Sequence, residues 1–186
     1  MFSFYPVIRM IDFQITILTC IVYLIANSFS YKIGSTMLCQ PPLYDVLHNM
    51  LPNLSQNVHI RDYVLLGIII PIIFLKYLWQ YIPELWNAFM IVVLIKAICI
   101  FFTYIPSCHP SCQNPNYLDL NHCHHCSVSG HSALCMILGL LYIKGGFNKW
   151  MIGICVFLYS ILIVISRAHY CDNVIQGILF AYLVSY

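Results

Sequence analysis

Apolar residues are gathered along this chain into long blocks separated by short polar breaks. A helix that crosses a bilayer needs roughly 20 mostly apolar residues. Six blocks approach that length, at approximately 11–30, 63–82, 86–105, 130–146, 149–167 and 170–186. Pro83-Glu84 marks a short turn between the second and third, and Gly145-Gly146-Phe147-Asn148-Lys149 separates the fourth from the fifth. The sixth opens on polar residues and is short. Pro71 lies inside the second block and predicts a kink there, which neighbouring helices tolerate in a membrane. The pattern therefore predicts an all-α, polytopic membrane protein. It would have about six transmembrane helices forming one transmembrane domain over residues 1–186. No small-residue cleavage site follows the first block, which reads as a retained signal-anchor helix.

Composition agrees with that expectation. Of the 186 residues, 61% are hydrophobic and 8% charged, against about 45–50% and about 25% in an average soluble domain. The net charge of +2 and the lack of basic runs give no reason to expect a nucleic-acid partner. Two long connections remain, roughly 31–62 and 106–129. With a cytosolic N-terminus and six spans, both fall on the non-cytosolic side. Arg9, Lys144 and Lys149 would then face Lys32, Arg61 and Arg167 across the membrane, so the positive-inside rule does not fix the orientation. Cys39, Cys108, Cys112, Cys123, Cys126 and Cys171 fall in or beside the non-cytosolic parts, which suits an oxidising lumen.

Two polar segments carry the candidate chemistry. Ser129-Gly130-His131 opens the fourth block. A helix N-terminus offers free N–H groups and partial positive charge to a phosphate, and His131 would stand in its first turn. Arg167-Ala168-His169-Tyr170-Cys171-Asp172-Asn173 joins the fifth and sixth blocks. Arg167 offers a planar fork for phosphate oxygens, and His169 is a candidate nucleophile toward phosphorus. Asp172 and Asn173, three and four positions on, share its helix face and are candidates to fix its tautomer. A lone membrane histidine is often a satisfied interhelical hydrogen-bonder. Two such segments, with their histidines 38 positions apart, favour a site.

These residues resemble the sphingomyelin synthase branch of the lipid phosphate phosphatase superfamily. Cys123 with Ser129-Gly130-His131 is similar to that family's Cys-…-Ser-Gly-His motif. Arg167 through Val174 is similar to its His-Tyr-Thr-x-Asp-Val motif, and Pro41-Pro42-Leu43-Tyr44-Asp45 to its Pro-Pro-Leu-Pro-Asp. Lys96-Ala97-Ile98 sits where the family has a basic stretch. The resemblance implies six membrane helices with the site on the lumenal or exoplasmic face of a secretory-pathway membrane (Golgi, ER or plasma membrane). It implies head-group transfer from a phospholipid donor to a ceramide acceptor through a phosphohistidine, with no cofactor and no metal. His169 would be the nucleophile and His131 the acid and base. Arg167, Ser129 and Gly130 would hold the phosphate, and Asp45, His48 and Lys96 would line the substrate mouth. The sequence departs from the motif at two places: Asn173 stands where the family has its aspartate, with Asp172 one place early, and His125 stands where aspartate is frequent.

The alternatives are a lipid phosphate phosphatase or phospholipase C-like hydrolase, with water as acceptor, and a catalytically weakened relative that binds sphingolipids. A further possibility lies in the second connection. There Cys108, His109, Cys112, His122, Cys123, His124, His125 and Cys126 have ligand types and spacing suited to zinc, or to disulfides.

Overall fold

Gly130–Lys144 is apolar almost all round, and such a helix belongs in an interior. In the computed structural model, which describes residues 12–36, 43–57, 59–102 and 128–185, it is the central element, with nine of its 15 residues buried. In chain order the described α-helices are α1 (Phe13–Thr36), α2 (Val46–Met50), α3 (His59–Phe74), α4 (Ile82–Phe102), α5 (Gly130–Lys144), α6 (Lys149–Ile165) and α7 (Cys171–Val184), with 3₁₀ turns at Ser55–Asn57 and Lys76–Tyr81. Helices α3, α4, α6 and α7 surround α5, and α1 lies against α4. Cys39, Pro41 and Pro42, and the Cys/His-rich second connection, lie outside the described residues.

Small residues set the closest approaches. A Cβ on Gly139 would stand 3.0 Å from Val156 and 3.1 Å from Ile152, so the glycine brings α5 against α6. A Cβ on Gly177 would stand 2.2 Å from the Ser132 hydroxyl and 2.4 Å from the Ser129 carbonyl, which fixes the α5–α7 crossing. The main core joins Leu78, Leu85, Val92, Leu138, Leu141, Ile163 and Val174. Polar groups are buried with it, among them Asp45, Arg61, Ser129, Ser132, Ser166, His169 and Asn173. Hydrogen bonds between distant elements satisfy several of the backbone groups. Tyr142 donates to the Ile68 carbonyl at 2.7 Å, Tyr159 to that of Arg61 at 3.2 Å, and the Ser129 amide to that of Asn173 at 3.0 Å.

The polytopic expectation is corrected here. Among the described residues one stretch, Lys76–Phe102 (27 residues), is long and apolar enough to cross a membrane, not six. The apolar stretches Phe13–Phe29 (within α1), Gly130–Lys144, Lys149–Ile165 and Cys171–Val184 run for 10–17 residues, short of the roughly 20 a span needs. Local chemistry ends them early. Asn148 caps α6 by accepting from the amides of Trp150 (2.9 Å) and Met151 (3.4 Å). Gly146, at φ 91°, turns the chain into the left-handed region that favours glycine. The block expected at 63–82 breaks at Leu75, whose ψ of 69° is not helical, and the Trp79 indole takes the Ile72 carbonyl at 2.9 Å. Pro83-Glu84, expected as a turn, instead lies in the first turn of α4. The architecture is an all-α bundle of seven α-helices among the described residues. The six-helix lipid-phosphatase-like bundle and the multi-pass secretory-pathway localisation fall with the span count.

Candidate functional site

The first turn of α5 is built by Ser129. In extended conformation (φ −74°, ψ 112°) its hydroxyl accepts from the Ser132 amide at 3.3 Å, as an N-cap does. The Ser132 hydroxyl donates back to the Ser129 carbonyl at 3.1 Å. Both serines are fully buried. At Gly130 the Lys96 ammonium from α4 stands 3.7 Å from where a Cβ would be. Lys96 also lies over the Tyr23 ring of α1, 5.9 Å from its centroid.

Beside Lys96 stands His131, whose Nε2 is 3.1 Å from Asp62 Oδ1. A carboxylate only accepts, so Nε2 carries the proton and Nδ1 is the ring's acceptor. The same carboxyl oxygen accepts from Arg61 Nε at 3.4 Å, and His59 Nδ1 lies 3.9 Å from the other. The Arg61 side chain is 5% exposed. Burial first, and then the Arg61 charge, push the His131 pKa down to about 4; Asp62 opposes them and Lys96 adds to the depression. The His131–Asp62 contact at neutral pH is therefore a hydrogen bond from a neutral ring, not an ion pair. The sequence reading held Arg61 only as a loop charge and did not single out Asp62. Their signal was an adjacent charge pair opening an apolar run.

The other candidates gather around the α6–α7 link. Arg167 has φ 56°, a left-handed conformation costly for a side-chain-bearing residue. Its Nη2 donates to the carbonyls of His48 and of Leu51, the latter at 3.4 Å. His48 Nε2 donates to the His169 carbonyl at 3.2 Å. Asp45 is a double cap. Its Oδ1 accepts from the amides of Leu47 (2.9 Å) and His48 (3.2 Å) in α2, and its Oδ2 from the first amide of α7, Cys171, at 2.7 Å. Burial works to raise the Asp45 carboxyl, but those amides outweigh it and hold it below the usual range. Burial lowers His48, against the pull of Asp45. His169 is buried. Asp172 is exposed and Asn173 fully buried, so position 173 faces the interior.

Two clusters result. His131, Gly130 and Lys96 meet Arg61 and Asp62 at one; Asp45, His48, Arg167 and His169 meet at the other. The Ser129–Asn173 bond joins them. Among the described residues no group of three or more His, Cys, Asp or Glu side chains is placed to hold a metal.

The expected ceramide phosphotransfer is corrected with the fold. Its premise was a membrane-embedded site within six spans, and the bundle has one span-length segment among the described residues. The Arg167 guanidinium expected on phosphoryl oxygens donates to backbone carbonyls, and the Asp172 carboxylate expected behind His169 is exposed. The hydrolase and sphingolipid-binding alternatives assumed the same embedded site and are set aside with it. No protein-family model matches the chain, and no curated protein matches it.

Proposed function

We propose that this protein binds a phosphate-bearing small molecule at the N-terminal end of α5. The observation that carries the reading is the convergence of Arg61, Lys96 and His131 on that helix end with, among the described residues, one carboxylate, Asp62, between them. Arg61 and Lys96 outweigh Asp62 by one positive charge while His131 is neutral, and by two once it is protonated. The α5 N-terminus adds free amides and roughly half a positive charge. Lys96 supplies a mobile ammonium and Arg61 a fixed charge held by burial. His131 Nδ1, the acceptor nitrogen, suits the P–OH of a hydrogen phosphate. The resemblance of Ser129-Gly130-His131 to a phosphate-handling motif supports the same placement.

Calorimetric titration with inorganic phosphate, glycerol 3-phosphate and sulfate tests the reading. Saturable binding of both phosphates is expected. Lys96→Met should weaken it roughly tenfold or more, since a hydrogen bond to a charged group contributes about 1.5–3 kcal/mol. A bound anion favours protonated His131, so sulfate, which does not itself titrate in this range, should bind more tightly at pH 5 than at pH 7. No saturable phosphate binding, or binding indifferent to Lys96→Met, would refute the site.

A further inference from the structure

Residues 43–54 cross the α6–α7 link and are tied to it by polar bonds at nearly every third position. The Leu43 amide donates to the Tyr170 hydroxyl at 2.9 Å. Asp45 receives the Cys171 amide at 2.7 Å. His48 reaches the His169 carbonyl at 3.2 Å, and the His48 and Leu51 carbonyls receive Arg167. The Leu54 amide donates to the Ile165 carbonyl at 2.8 Å. All these contacts land between residues 165 and 171.

The apolar side of this attachment is slight. Helix α2 has no buried residue. Leu43, Tyr44, Val46 and Met50 are each more than half exposed, and Leu51 alone of the segment joins the main core's edge. His169 and Tyr170, to whose carbonyl and hydroxyl the segment is bonded, are 8% and 3% exposed. A segment with few apolar contacts opens locally at lower free energy than the core it covers. The α6–α7 link is also held in tension, because the left-handed Arg167 is stabilised by carbonyls that the segment itself provides.

We propose that residues 43–54 are a cover over His169 that opens as one unit, breaking its bonds to residues 165–171 while the helical bundle stays folded. Asp45 is its fastening point, since one carboxylate caps α2 with one oxygen and holds α7 with the other. An asparagine there keeps only one acceptor oxygen and cannot do both. The cover is independent of anion binding at α5, and its test does not require a ligand.

Native-state hydrogen exchange of the 186-residue chain in rising urea gives the first measurement. The amides of Leu43, Leu54 and Cys171 should exchange together, at least about tenfold faster than Leu138 and Leu141 in α5 and with one shared urea dependence smaller than that of α5, as an opening that exposes only part of the surface has. Exchange of the three only with α5, or at three unrelated rates, overturns the cover. The second measurement is carbethoxylation of His169 by diethylpyrocarbonate, read by peptide mass spectrometry. Asp45→Asn should raise it severalfold and leave the exposed His59 unchanged. An unaltered His169 rate in an Asp45→Asn protein of normal helical content overturns the proposal. If that variant does not fold, exchange in the unsubstituted chain decides alone.

Discussion

At His131 burial and charge act on one titrating ring. Its folded pKa of about 4 lies below the roughly 6.5 of an unfolded histidine, so between those values the unfolded chain binds more protons. The ring's contribution to stability is complete above about pH 6.5 and is lost as pH falls toward 4. Its size is on the order of 3 kcal/mol at 1.36 kcal/mol per pH unit, as the side chain is 29% exposed. Urea midpoints should therefore fall between pH 7 and pH 4.5, and by less in His131→Gln. Followed by NMR, the His131 titration should move up in Lys96→Met, which removes a repelling charge, and down in Asp62→Asn, which removes an attracting one. Ser129, Gly130 and His131 were legible as a short motif in sequence. Asp62 was not, because 69 positions separate it from His131 and only the packing of α3 on α5 brings them to hydrogen-bond distance.

Helix ends and crossings depend on a few small residues. The caps at Ser129 and Asn148 follow directly from residue type, and the apolar blocks expected from 130 and 149 begin where α5 and α6 begin. The break at Leu75 was not legible, since the apolar run continues through it and the deciding contact comes from Trp79. Gly177→Ala would drive a methyl into the Ser129 carbonyl and the Ser132 hydroxyl, and backbone has little room to yield. A loss of about 1–3 kcal/mol or more is expected, the range for overpacking. Gly145→Ala meets first the tip of the Leu78 side chain, at 2.2 Å, and its backbone at φ −76° accepts alanine. Its loss should be smaller than that of Gly177→Ala, and equilibrium urea unfolding of the two variants checks the order.

Across the molecule the apolar interior is divided. The main cluster is organised around α5, whereas Ala26, Ala97 and Ile100 form a separate small cluster between α1 and α4, edged by Val22, Tyr23 and Phe101. Helix α1 packs along α4, whereas α5 is enclosed by four helices, so α1 should open before α5. Ala26→Leu, which overfills a position with no exposed surface, should cost about 1–3 kcal/mol. Hydrogen-exchange mass spectrometry should then show protection lost across α1 and retained in α5. Equal loss in both helices would mean that the two clusters unfold as one.

By itself the sequence determined that the chain is helical, where α5, α6 and α7 start, and which short polar segments carry histidine and arginine. Those properties reside in composition, capping residues and runs of apolar side chains, all of which are local. It did not determine where a continuous apolar run breaks, as at Leu75, and six expected spans became one span-length segment among the described residues. Nor did it determine which charge meets which histidine. Only the tertiary structure put Arg61, Asp62 and Lys96 around His131, turned Asp45 into a cap shared by α2 and α7, and set Asn173 inside and Asp172 outside. These are contacts between residues far apart in the chain, and they follow from helix packing, which no local pattern encodes.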